Sequence, residues 1–305
     1  MQIVKHDINI NFVGRRKLAL IFSLLLVVAG LVSLIARGGP EYGIDFAGGT
    51  LIQVKFSEAT RAADIKSALK GMHLKGLLVQ KFEGDSQEFM LRLQDTSSEL
   101  EGMAQQVGAH LEQAYGKGTV DIRRVEMVGP QVGKDLRKKG LMAILFAMIG
   151  VLIYITIRFE FKFAVGAVIA LAHDVLITLG AFSLFGKEID LPIIAAFLAI
   201  IGYSLNDTII VYDRIRENIG RHPKQSFDQT VNGSINETLS RTILTSGTTL
   251  LVVLALFLFG GGVIHNFAFA MLVGILIGTY SSIFVASPVL LVWDDMKKRR
   301  NATAS

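Results

Sequence analysis

Six apolar runs, each long enough to cross a bilayer, punctuate this chain at residues 18–36, 141–157, 163–185, 191–212, 242–259 and 267–292. A helix rising 1.5 Å per residue needs about 20 apolar residues to span the hydrocarbon core. The pattern therefore predicts six transmembrane helices, the last with tilt or overhang. The first run follows Arg15, Arg16 and Lys17 and ends in the turn sequence Arg37-Gly-Gly-Pro40. No small-x-small cleavage site follows it, so it reads as an uncleaved helix rather than a secretory signal.

Between the first and second runs the pattern changes period. Residues 50–56 alternate as a strand, and 61–70 carry Ala62, Ile65 and Leu69 at helical spacing. Residues 77–82 and 88–93 read as strands separated by Glu83-Gly-Asp-Ser86, a turn signal. A helix over 98–115 places Leu100, Met103, Val107 and Leu111 on one face, and a last strand covers 119–128. The order β-α-β-β-α-β predicts a ferredoxin-like split βαβ domain. The expected fold class is thus a polytopic α-helical membrane protein with one α+β ferredoxin-like domain between helices 1 and 2. Its expected segments are 1–17 at the N-terminus, 18–36 as helix 1, 37–139 as the outer domain, 140–292 as helices 2–6 and 293–305 at the C-terminus.

Charge supplies the orientation. One side, comprising both termini and the connections 158–162 and 214–241, carries 15 Lys and Arg; the short loops 186–190 and 260–266 carry only Lys187. The positive-inside rule places both termini in the cytoplasm and residues 37–139 on the periplasmic side. The net charge of +5 does not point to nucleic acid, because residues 37–139 hold 15 basic and 14 acidic side chains and form no basic patch. Apolar residues make up 51 % of the chain and cysteine is absent, which removes disulfides and Cys-type metal sites from consideration. No phosphate-binding loop, zinc-protease motif or nucleophile elbow occurs, so the sequence offers no enzyme site and no nucleotide, metal or cofactor.

Polar residues inside the spans carry the functional signal, since a charge at a helix centre costs about 2.5–3.5 kcal/mol on insertion scales. Asp174 lies mid-way along the third run beside His173, and divides evenly between an ion-path group and a packing hydrogen bond. Asp207 lies one to two turns inside the end of the fourth run, flanked by Asn206 and Thr208, and favours a functional role. Arg241, Thr245 and Thr248 share one face at the start of the fifth. Just before it, Val231, Ile235 and Leu239 are spaced as an amphipathic segment lying on the inner surface. Asp207, Arg241, Asn206, Asp174, Thr245 and Thr248 are the candidate functional residues of the spans. In the turn Asp45-Phe-Ala-Gly-Gly49, Asp45, Gly48 and Gly49 are expected to be structural, because such a turn calls for backbone angles that side chains disfavour.

Three segments carry a resemblance: Tyr42-Gly-Ile-Asp-Phe-Ala-Gly-Gly-Thr50, Val128-Gly-Pro-Gln-Val-Gly133 and Gly202-Tyr-Ser-Leu-Asn-Asp-Thr-Ile-Ile-Val-Tyr-Asp-Arg-Ile-Arg-Glu-Asn218. Together they resemble the SecF branch of the SecD/SecF family, and the likeness runs over essentially the whole chain. The resemblance implies an accessory subunit of the Sec protein-export machinery in the bacterial inner membrane. Such a subunit pairs with SecD as a twelve-helix unit related to resistance-nodulation-division transporters. It works beside the SecY channel and YajC on the exported polypeptide, driven by the proton motive force or, in some marine relatives, by sodium. It also implies that Asp207 and Arg241 match the family's proton-linked Asp and Arg, so that Asp207, Arg241, Asn206, Asp174, Thr245 and Thr248 form the expected proton pathway. A half-transporter for small molecules or lipids on the same fold is the alternative.

Overall fold

A computed structural model describes residues 9–72, 74, 76–82, 87–93 and 100–304. Six helices in it have the length and apolar character to cross a membrane. They are α1 (Arg16–Ala36), α5 (Pro130–Arg158), α6 (Phe161–Leu184), α7 (Leu191–Arg221), α8 (Phe227–Phe259), and a sixth span made of α9 (Gly261–Ser281) and α10 (Ser287–Ala304) joined by a π-turn, Ser282–Ala286. Pro288 accounts for the π-turn. It lacks the N–H that an α-helix would direct at Phe284, and Ser287 Oγ instead donates to the Ser282 carbonyl at 2.9 Å. α6 is the most enclosed span, while the apolar stretches of α5 and α8 are the least buried.

The outer domain is a four-stranded antiparallel sheet in the order β2-β3-β1-β4, from β1 (Gly49–Phe56), β2 (Leu78–Lys81), β3 (Glu88–Leu93) and β4 (Val120–Val128). Helices α3 (Ala62–Ala68) and α4 (Leu100–Tyr115) complete the split βαβ arrangement. Alternation along β1 and β3 sends Ile52, Val54, Phe56, Phe89, Leu91 and Leu93 to one face, where they bury against Ile65, Leu69, Val107 and Leu111. The expected turn at residues 83–86 and the expected helix start at 98 lie outside the described residues.

Three features differ from the local reading. A short helix, α2 (Ile44–Ala47), stands inside the segment read as a plain turn. The second span starts at Pro130, so the Lys- and Arg-bearing stretch 134–139 is helical and continuous with it; Pro at the first helical position suits that start. The segment with Val231, Ile235 and Leu239 is the first part of the 33-residue α8, begun by a capping box between Ser226 and Gln229. Its apolar residues pack on Val211, Ile215 and Phe12 rather than lying on a membrane surface. The carboxamides of Asn232 and Asn236 strap the backbone of Ile10 and Phe12 across it, at 2.8–3.1 Å.

Close helix contacts occur where glycines remove side chains. A Cβ on Gly30 of α1 would stand 2.8 Å from the Gly180 Cα of α6, so those two backbones touch. A Cβ on Gly278 of the Gly274-x-x-x-Gly278 pair would meet Ser204 Cβ at 2.9 Å, which sets α9 against α7.

Candidate functional site

The amphipathic logic of a membrane bundle sends rare polar groups inward, and here they converge on α7. Ser204 and Asp207 are three residues apart on α7, hence on one face, and both are buried. Ser204 Oγ donates to Asp174 Oδ2 of α6 at 2.6 Å, and Ser281 Oγ of α9 donates to the same oxygen at 2.8 Å. The other Asp174 oxygen lies 2.9 Å from His173 Nδ1. Asp174 thus ties three helices together, with every contact inside the protein.

Asp207 has a sparser setting. Ser246 Oγ of α8 donates to its Oδ2 at 3.0 Å, and Thr279 Oγ1 of α9 lies 2.8 Å from Ser246 Oγ. Its Oδ1, like the nearby Thr242 Oγ1, is buried without a hydrogen-bond partner among the described residues. The two acids thus sit in two neighbouring clusters: Asp207 with Ser246 and Thr279, and Asp174 with Ser204, Ser281 and His173. Thr279 and Ser281, two residues apart on α9, face different ways, so the clusters are related through Ser204 and Asp207 on one face of α7. The His173 ring stacks on Tyr280, whose hydroxyl donates to the Ala19 carbonyl of α1 at 2.6 Å.

Arg241, Asn206, Thr245 and Thr248 make none of these hydrogen bonds. Arg241 and Asn206 are exposed on the flank of the bundle, and no ion pair joins Arg241 to Asp207 among the described residues. The hydroxyl of Thr245 reaches back to the carbonyls of Arg241 and Thr242, and that of Thr248 to those of Leu244 and Thr245. Such back-bonding satisfies a hydroxyl within its own helix, and neither of these two hydroxyls reaches another helix among the described residues. Ser204, Ser246, Thr279 and Ser281 were not singled out in the sequence. Serine and threonine are ordinary in membrane helices, and only helix packing places these four on the acids.

A second polar cluster forms where the outer domain meets the helices. Gly48 and Gly49 have φ of 77° and 126°, left-handed values open to glycine. The turn they make brings α2 onto the start of α5: a Cβ on Gly133 would stand 3.0 Å from the Phe46 carbonyl oxygen. Asp45 Oδ2 accepts from Leu191 N at 2.8 Å, and Asp190 Oδ1 accepts from Ile193 N at 3.2 Å. Two carboxylates therefore serve the N-terminus of α7, where the helix dipole favours them.

Asp190 is pushed up to about 6, first by burial, against the hydrogen bond from Ile193, with the charges of Asp45 and Glu188 adding to the rise. A carboxyl raised on folding stabilises the fold fully below its ordinary value of 3.8, and that contribution is lost as pH climbs through about 6. Asp190→Asn should therefore raise the melting temperature at pH 7.5 and leave it unchanged near pH 3.5. Thermal unfolding of the full chain in nanodiscs checks this, and a variant less stable at pH 7.5 would contradict it.

Comparison with known proteins now bears on this geometry. Residues 107–296 match the family model described as "Protein export membrane protein SecD/SecF, C-terminal", and 32–60 match the "SecD/SecF GG Motif". The latter covers the Asp45–Gly49 turn. The chain is 47 % identical to the "Protein translocase subunit SecF" of Magnetococcus marinus, over 99 % of this chain and 97 % of that one. It is 46 % identical to the Vibrio alginolyticus protein of the same name, over 95 % and 91 %. It superposes with a TM-score of 0.86 and 37 % identity on the crystal structure of SecDF, a translocon-associated membrane protein from Thermus thermophilus. The match covers 96 % of this chain and 40 % of that longer one. A second SecDF structure, in a super-membrane-facing form, gives 0.73 at 36 % identity.

Proposed function

The chain belongs to the SecF branch of the SecD/SecF family, a multi-pass protein of the bacterial inner membrane, and from that premise we propose that it serves protein translocation by coupling proton uptake at Asp207 to movement of its helices. The observation that carries this reading is the buried Asp207, held by one hydrogen bond from Ser246, which Thr279 touches in turn, and lying one turn of α7 from the Ser204 that bonds the second buried acid, Asp174. A buried carboxylate with one unpaired oxygen is costly in its charged form, so binding and release of a proton change how α7, α8 and α9 fit together. The proton's first contacts are Ser246 and Thr279 in preference to the Thr245 and Thr248 face.

One proton crossing 100 mV releases about 2.3 kcal/mol, and inverting a 1:99 two-state equilibrium takes about 5.5 kcal/mol. At 100 mV this takes about two to three protons per stroke. Arg241 is the cation that approaches Asp207 in one state and withdraws in the other. The exposed Arg241, Asn206 and Thr248 are poor lipid neighbours. This flank of α7 and α8 is therefore where SecD packs, closing a twelve-helix unit beside SecY and YajC. Both termini face the cytoplasm, and residues 37–139 meet the exported chain on the periplasmic side. The coupling ion is the proton; sodium is the alternative that an ion-replacement assay separates. A small-molecule half-transporter is disfavoured, because it would need a substrate pocket in the outer domain, and the hollow between the sheet and α7 is about 220 Å³, below the roughly 300–1,000 Å³ usual for ligand pockets; the larger hollow, about 750 Å³, lies at the opposite end of α7, beside Asn218 and Asn232.

In vesicles containing the SecD–SecF pair, Ser246→Ala should lower proton flux several-fold while Thr248→Ala leaves it within twofold of wild type. The reverse ranking would refute the route. Orientation is tested separately: a cysteine at Lys117 should react with an impermeant maleimide outside spheroplasts, and one at Gln225 should not. The opposite labelling would overturn the topology.

A further inference from the structure

The two ends of α7 carry different chemistry, and the outer end is tied to the ferredoxin-like domain more firmly than a connecting loop requires. Backbone pairing comes first: Ile189 N donates to the Glu41 carbonyl at 2.7 Å, and Gly43 N donates to the Ile189 carbonyl at 2.8 Å, forming a one-residue parallel bridge. A Cβ on Gly43 would stand 3.1 Å from Asp190 Cβ, so the two segments lie in close contact. Side chains then cross the junction in both directions. Asp45 of α2 accepts from the first amide of α7, 146 residues away. Arg92 of β3 forms an ion pair with Glu188 and donates to the Tyr42 carbonyl at 3.3 Å. Arg92 and Glu188 are each less than one-fifth exposed, which shields the pair from salt. Arg137 of α5 covers the Tyr42 ring at 5.1 Å.

We propose that this junction is a latch which transmits motion between α7 and the outer domain, with Asp45, Arg92 and Glu188 as its positioning residues. The helix it grips is the one that bears Ser204 and Asp207, so an axial shift or tilt of α7 moves the sheet through Asp45 and through the Ile189 bridge. A sheet hung only on the chain connections at Pro40 and Gly129 would not follow. The strands β1 and β3 are the receiving elements, since β1 continues directly from Gly49 and β3 carries Arg92. The mechanical statement stands on the junction alone; its use in export rests on the proton-coupled reading above.

The absence of native cysteine allows two labels to be placed without other changes to this chain. Spin labels at Gln113 in α4 and Leu184 at the outer end of α6, in full-length protein paired with a cysteine-free SecD, report the position of the domain relative to the helices. The wild type should give one narrow distance distribution. Asp45→Ala combined with Arg92→Ala should broaden it at least twofold while the pair still copurifies and far-ultraviolet circular dichroism is unchanged. Asp45→Asn, whose amide oxygen still accepts from Leu191, should restore the narrow form in an otherwise wild-type background, where Asp45→Ala does not. An unchanged distribution in the double variant overturns the latch. In export vesicles the same double variant should lose at least fivefold of the SecD–SecF stimulation while proton flux stays within twofold of wild type. Loss of both together, or of neither, overturns its coupling role. If wild-type flux proves independent of Asp207, the proton reading fails and the distance measurement alone decides the latch.

Discussion

Asp207→Asn should abolish the proton-driven part of export while leaving a folded, inserted protein. Asn matches Asp in volume, and its amide oxygen can accept the Ser246 hydroxyl that Asp207 Oδ2 accepts at 3.0 Å, so packing of α7 on α8 survives. What is lost is the group that alternates between charged and neutral. We expect proton flux through the SecD–SecF pair to fall at least tenfold and export to drop to its level without the pair. Copurification with SecD should be unchanged. Flux is read from a pH-sensitive dye inside vesicles, and export from protease protection of a secreted substrate with and without an uncoupler. Arg241→Lys should give an intermediate loss, because Lys retains the charge without the planar donor fork of Arg. Wild-type flux and wild-type export in Asp207→Asn at normal expression would end the mechanism.

The second large effect is structural. Gly48 combines two demands: φ of 77°, and a Cβ position 2.9 Å from Pro130 Cα and 3.2 Å from the Val128 carbonyl oxygen. The atoms it would strike are backbone, which cannot swing aside. A left-handed residue other than glycine costs about 1–2 kcal/mol, and overpacking adds about 1–3 kcal/mol. Gly48→Val should therefore destabilise the junction of α2, β4 and α5 by about 2–5 kcal/mol. Yield of full-length protein and its melting temperature measure the loss. Gly38 is the matched control, with φ of 76° and nothing within 4 Å of the added carbon. Gly38→Val should cost the strain alone. Equal behaviour of the two variants would show that contact with Pro130 is irrelevant.

The six spans are legible along the chain, because crossing hydrocarbon imposes a length and an apolar composition that each run displays locally. The split βαβ order is legible too, since alternation in β1 and β3 and helical spacing in α3 and α4 are properties of consecutive residues. Asp174 and Asp207 were conspicuous for the same local reason: a charge in an apolar run is visible without its neighbours. Tertiary structure decided what those acids touch. Ser204, Ser246, Thr279 and Ser281 acquire meaning only when α6, α7, α8 and α9 pack in one register, and no spacing along the chain encodes a contact between helices. It decided as well that Asp45 serves α7 rather than only its own turn, and that α8 runs unbroken from Phe227. Hydropathy and period are written locally, whereas hydrogen bonds between distant elements follow from how the buried faces come together.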